Sequence, residues 1–241
     1  MTNAERVWKL YSVAKEGQAP VIRSGYGMYG VYEYDPKKPF NYDRSESDTE
    51  HVFGTIVLLK LIMEFYPYLL PKTLYGNFVT CLLFHELGEN KYGDIPDDGL
   101  RDEENQGEKE LEYIKHYVQD WPHHERRETL EYFTEMQKKN SGVGRFLYFV
   151  DKTEAILQNL IYEKQGRAGD FSVKLKNSAK VSEYDKKNSK ITESTKPADM
   201  WAFGFYEKWH KDKWFSIFFN IIRAAVIDVR GEDFKWLNNI T

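Results

Sequence analysis

The stretch CLLFHELGENKYGDIP, residues 81–96, carries an apolar helical run straight into His85-Glu86, places Glu89 three residues on, and turns sharply at Gly93-Asp94. A helix that only needs burial has no use for an imidazole and several carboxylates along one edge, because charged side chains are almost never fully buried without partners. Acidic groups at a helix C-terminus also oppose the macrodipole and favour a local cation.

Upstream, SDTEHVFGTIVLLKLIMEFY (47–66) has helical spacing, with Asp48 or Thr49 as N-cap candidates and Val52, Ile56, Leu59 and Met63 able to share a face. Pro67 and Pro71 bracket a turn, and KTLYGNFVTCLLFHELGEN (72–90) makes the return helix. His51 starts the outbound leg and His85 ends the return leg, so an antiparallel pair brings the two imidazoles to one level. Further along, Asp151 sits in RFLYFVDKTEAIL (145–157), surrounded by apolar residues. A carboxylate on a buried face must be paired, hydrogen-bonded or metal-bound. His51, His85, Glu86 and Asp151 together are a reasonable donor set for a divalent transition metal. Each also has a plainer reading: a satisfied helix-terminal histidine, a solvated helix end, or a pairing of Asp151 with Lys152, Lys91 or an arginine.

The rest of the chain is read as helical with polar interruptions. Residues 2–16 form a short amphipathic helix, and residues 17–48, rich in Gly, Tyr and Pro, a loop or hairpin. Two charged amphipathic helices, 103–121 and 123–140, are separated by Pro122; a buried helix over 144–166 ends at a glycine. Residues 167–196 shift to Lys, Ser, Asn and Asp and read as an exposed excursion, after which apolar helices return over 197–241. The expected fold is an all-α helical bundle in one domain, 1–241, with its motif core at about 44–165 and C-terminal helices packed on it.

Composition narrows the partners. The formal charge of −4 points to neither nucleic acid nor an anionic membrane, and the Lys-rich segment 174–190 is interleaved with acidic residues. The N-terminus lacks the apolar core of a signal peptide, and the runs IVLLKLIM and WFSIFFNII are too short to span a bilayer, so a cytoplasmic protein is expected. The single Cys81 lies in an apolar run and reads as a structural thiol. Seventeen Tyr, fifteen Phe and six Trp supply enough aromatic area for a core and a homodimer face; Trp201, Phe205, Trp209, Trp214 and Phe218 are assigned to one or the other. His123-His124 reads as a polar helix start.

Taken together, TEH at a helix start, FHELGENKYGDIP, and YFVDKTEAIL resemble the HD-domain metal-dependent phosphohydrolases, most of all their 5′-deoxynucleotidase-like branch. The resemblance implies an HD-domain-like fold and one divalent ion (Mn, Co, Ni, Fe, Zn or Mg) on His51, His85, Glu86 and Asp151. Glu89 and Asp94 match that family's catalytic carboxylates, one orienting the water and the other protonating the leaving oxygen. Arg44 falls where the branch has a phosphate-contacting arginine, and Lys152 is a candidate helper. The implied substrate is a small phosphate monoester such as a (deoxy)nucleoside 5′-monophosphate. Two departures stand out. Glu86 replaces the aspartate of the His-Asp pair, and YEYDPKKPFNY (32–42), with Lys37 and Lys38, lacks the branch's Arg-Trp pair, so no base or sugar preference carries over. The alternatives are an HD-type hydrolase of another phosphorylated metabolite or a nucleoside triphosphate, and a non-catalytic nucleotide sensor with a degenerate site.

Overall fold

Gly142–Lys164 forms the helix around which the others are arranged. Most of its residues are buried, polar ones such as Glu154, Gln158 and Asn159 included, and Phe146, Leu147, Phe149, Val150, Leu157 and Leu160 are fully so, as a helix packed on several sides requires. Ser141 caps its start, the hydroxyl accepting from the Gly144 N–H at 2.9 Å, and Gly166 follows its end at φ 70°. The computed structural model describes residues 2–16, 48–88, 103–166 and 196–239. Among these the chain is all-α, with no strand: α1 (Asn3–Glu16), α2 (Asp48–Phe65), α3 (Tyr75–Phe84), α4 (Glu103–Tyr117), α5 (His123–Lys138), α6 (Gly142–Lys164), α7 (Pro197–Trp209) and α8 (Phe215–Arg230), joined in places by short 3-10 turns. The loop read at 17–48 and the excursion read at 167–196 lie, but for the last residue of each, outside the described residues, as does the turn at Gly93-Asp94.

Helix α6 packs on α2, α3, α5, α7 and α8, while α1 lies across α2 and α8. On α2 the buried positions are His51, Gly54, Thr55, Leu58, Leu59, Ile62 and Met63; of the four apolar residues read as sharing a face, Leu59 and Met63 are buried and Val52 and Ile56 only half-buried. Asn3 of α1 donates its side-chain amide to the carbonyl of Phe65 at 2.8 Å, satisfying a carbonyl that the end of α2 leaves open. Trp8 of α1 donates its indole N–H to Asp228 of α8 at 3.1 Å. The N- and C-terminal helices are thereby tied to each other as well as to the core.

The return helix is shorter than its sequence pattern. Regular α-helix stops at Phe84, and His85–Gly88 tighten into a 3-10 turn. Such tightening is common at helix ends, where the last carbonyls lack partners one turn on. Of the aromatic residues near the C-terminus, Phe205 and Phe218 are core and Trp201, Trp209 and Trp214 pack half-buried against it; the Phe149 ring lies 5.3–5.5 Å from those of Phe205, Trp209 and Phe218, each pair edge-to-face. His123 and His124 begin α5 with exposed side chains, as a polar helix start should. Among the described residues no helix is long and apolar enough to cross a membrane.

Candidate metal centre

Three elements meet at one end of the α2–α3 pair. His51 lies in the first turn of α2, His85 and Glu86 in the 3-10 turn after α3, and Asp151 in the middle of α6. All four are buried. The imidazole centroids of His51 and His85 are 5.5 Å apart, so the two helices run antiparallel and bring the histidines to one level.

The donor atoms converge. His51 Nε2 is 3.0 Å from Asp151 Oδ1 and 3.3 Å from Glu86 Oε1; His85 Nε2 is 3.0 Å from Glu86 Oε1 and 3.7 Å from Asp151 Oδ1. One donor from each of the four residues lies within 4.8 Å of every other. Ligands about 2.1 Å from one ion stand about 3 Å apart when adjacent and farther when opposed. The spacing is that of a shared ligand sphere.

The protons point the same way. His85 Nδ1 is 2.6 Å from the Leu82 carbonyl, which can only accept, so Nδ1 carries the hydrogen and Nε2 faces the carboxylates. Among the described residues Nε2 has no hydrogen-bond partner despite its burial: Glu86 Oε1 is near enough for an ion pair but is not aligned as an acceptor. A buried, unpartnered imidazole nitrogen aimed at two carboxylates is what a metal ligand looks like. Burial alone would lower the His85 pKa, but Glu86 and Asp151 outweigh it and push it up to about 9. The same local field attracts any cation. Asp151 is held well below the usual carboxylate range: burial opposes ionisation, and Lys152 with the two imidazoles overcomes it. The residues present therefore fit a divalent cation.

Lys152 stands at the rim, its Nζ 3.1 Å from Asp151 Oδ2 and its side chain 41% exposed. Asp151 thus presents one oxygen to the imidazoles and the other to the lysine. Arg44, Glu89 and Asp94 lie outside the described residues. Sequence reading overlooked Glu154, which is fully buried one turn beyond Asp151 and contacts His51 Nδ1 at 2.5 Å through Oε2. Its signal was available, since DKTEAIL holds a second carboxylate three residues after the first. Nothing in the sequence signalled its other partner, Tyr11, whose hydroxyl donates to Glu154 Oε1 at 2.5 Å from across the fold.

A family model described as "HD domain" matches residues 38–193, about two thirds of the chain, and the protein belongs to the HD-domain family. Among curated relatives it is similar to human 5′-deoxynucleotidase HDDC2, 30% identical over 136 residues, covering 54% of this chain and 63% of that protein. The mouse 5′-deoxynucleotidase HDDC2 is 28% identical over 136 residues, covering 54% of this chain and 65% of the relative. The match thus spans less than two thirds of the length of these relatives. No solved structure matches. Helices α1, α7 and α8 lie outside the matched segment.

Proposed function

We propose that the protein is a metal-dependent phosphohydrolase acting on a small phosphate monoester of the (deoxy)nucleoside 5′-monophosphate class. The observation that carries this reading is the buried meeting of His51, His85, Glu86 and Asp151, with His85 Nε2 turned inward and lacking a hydrogen bond among the described residues. The similarity to the human and mouse 5′-deoxynucleotidases supports the substrate class. In this reading the chain forms one HD-type unit, with its terminal helices packed on the matched core.

A divalent cation on those four side chains would supply Lewis-acid chemistry toward the phosphate. The chain's own residues do the rest. The Leu82 carbonyl holds the His85 proton on Nδ1, leaving Nε2 as the donor. Lys152, at the rim, offers an ammonium to a phosphate oxygen, with Arg44 as the second cation. Glu89 and Asp94 divide the proton work, one orienting the attacking water and the other protonating the leaving oxygen. Water oxygen bonds to phosphorus, the phosphorus–ester oxygen bond breaks, and the released alcohol takes the proton. Orthophosphate and a nucleoside are the products.

The test uses protein stripped of metal and resupplied in turn with Mn²⁺, Co²⁺, Ni²⁺, Fe²⁺, Zn²⁺ or Mg²⁺, assayed for orthophosphate from a panel of nucleoside and deoxynucleoside monophosphates. Metal-dependent release is expected. Outer-shell changes around a metal already cost about 10- to 100-fold, so Asp151→Asn should lower activity by more than about 100-fold and remove the ion. Full occupancy and turnover in that variant would contradict the proposal. Tripolyphosphate from nucleoside triphosphates would reassign the substrate. Nucleotide binding without turnover would favour the sensor reading that Glu86 raises.

A further inference from the structure

Glu154 has no part in the ligand set, yet it is among the most buried charged side chains described, fully inaccessible in the middle of α6. Both its oxygens are engaged: Oε2 faces His51 Nδ1 at 2.5 Å, and Oε1 accepts from the Tyr11 hydroxyl at 2.5 Å. Tyr11 and His51 are fully buried too. The chain Tyr11–Glu154–His51 therefore runs from α1, which lies outside the matched family segment, through the central helix to the candidate metal centre.

The two histidines are oriented differently. His85 is held by a backbone carbonyl, a neutral acceptor, whereas His51 is held by a carboxylate. With its Nδ1–H donating to that carboxylate, His51 turns Nε2 toward Glu86 and Asp151. A carboxylate in that position also raises the basicity of the imidazole and fixes its ring plane. Desolvating a further carboxylate beside Glu86 and Asp151 is costly, and a purely structural contact to an imidazole could be made by an amide.

We infer that Glu154 and Tyr11 are positioning residues for the metal centre: Glu154 sets the tautomer and orientation of His51, and Tyr11 of the N-terminal helix pins Glu154. The inference rests on the metal-centre reading above, and affinity for the ion itself separates the two. Mn²⁺ alone is titrated into metal-stripped full-length protein, by competition with a fluorescent chelator, for wild type and for Glu154→Gln, Tyr11→Phe, the double variant, Asp151→Asn and Asp228→Ala. The last loosens α1 from α8 without touching Glu154, because Asp228 accepts from Trp8 and is half-exposed. Thermal midpoints of the metal-free proteins are recorded alongside.

Glu154→Gln keeps the shape of the side chain and removes its charge; Mn²⁺ should bind about 10- to 100-fold more weakly. Tyr11→Phe should weaken binding in the same direction by less. The double variant should be no weaker than Glu154→Gln, since Tyr11 acts only through it. Asp228→Ala should lower the midpoint and leave affinity unchanged. Unchanged Mn²⁺ affinity in Glu154→Gln and Tyr11→Phe, with Asp151→Asn still abolishing binding, overturns the inference and leaves the metal centre standing. An equal loss in Asp228→Ala also overturns it, since general loosening of α1 would then be the cause. No Mn²⁺ binding by the wild type overturns both. If Glu154→Gln does not fold, Tyr11→Phe against Asp228→Ala decides.

Discussion

At the scale of single residues, what separates this site from an ordinary polar cluster is where the protons lie. His85 gives its Nδ1 hydrogen to a backbone carbonyl and keeps a buried nitrogen turned toward two carboxylates. The sequence could place His51 and His85 at one level, because helix lengths and the proline-bracketed turn set the register; Glu86 came with its neighbour, and Asp151 from the cost of burying a lone carboxylate. It could not tell which ring nitrogen faces inward, since that depends on the hydrogen bond each histidine finds. For the same reason Tyr11 was invisible: its partner is 143 residues away, and no periodicity relates them. Cys81 shows the opposite case, a residue read correctly from its apolar neighbours. Burial pushes its thiol up to about 12, so it stays protonated at pH 8. Native protein should resist alkylation by iodoacetamide at that pH, and the denatured chain should react fully; rapid labelling of the folded protein would show the burial to be wrong.

Among the elements, α6 carries most of the organisation, and its start depends on a close approach to α5. A Cβ built on Gly144 would lie 2.1 Å from the Glu135 carbonyl oxygen, a backbone atom that cannot move aside. That carbonyl also accepts from the N–H of Lys139, which ends α5 in the left-handed region at φ 56°. Gly144→Ala should therefore cost at least the about 1–3 kcal/mol typical of overpacking. Gly204, in the middle of α7, has no neighbouring atom within 4 Å of the place a methyl group would take, and Gly204→Ala should instead stabilise by about 0.5–1 kcal/mol. Urea melts of the two variants check the contrast; the same sign in both would contradict it. The sequence suggested the helices here and their order, but the α5–α6 contact is a tertiary event with no local signature. The 3-10 turn that follows Phe84 likewise meets a distant part of the chain, with Glu86 Oε1 3.3 Å from His51 Nε2 of α2.

Across the whole molecule, the matched HD segment is framed by helices outside it: α1 packs on α2 and α8, and α7 and α8 pack on α6. The all-α class and the apolar character of the C-terminal helices were both legible, since apolar periodicity and Gly and Pro punctuation act locally. The clamp that α1 makes on the rest was not, because its links, Asn3 to Phe65 and Trp8 to Asp228, join distant parts of the chain. A site shared by α2, the turn after α3, and α6 should couple ion binding to global stability. At a concentration one hundred times its dissociation constant, an ion that binds only the folded state adds about 2.7 kcal/mol. For a chain this size that is a rise of several degrees in midpoint, at about 2–4 °C per kcal/mol. Calorimetry with and without Mn²⁺ should show the rise in wild type and lose it in Asp151→Asn.

The most direct measurement is anomalous diffraction at the manganese edge from crystals of the protein grown with Mn²⁺. The predicted result is a single strong peak within about 2–2.5 Å of His51 Nε2, His85 Nε2, Glu86 and Asp151. A map with no peak among those four side chains, or with manganese bound only elsewhere, would contradict the account.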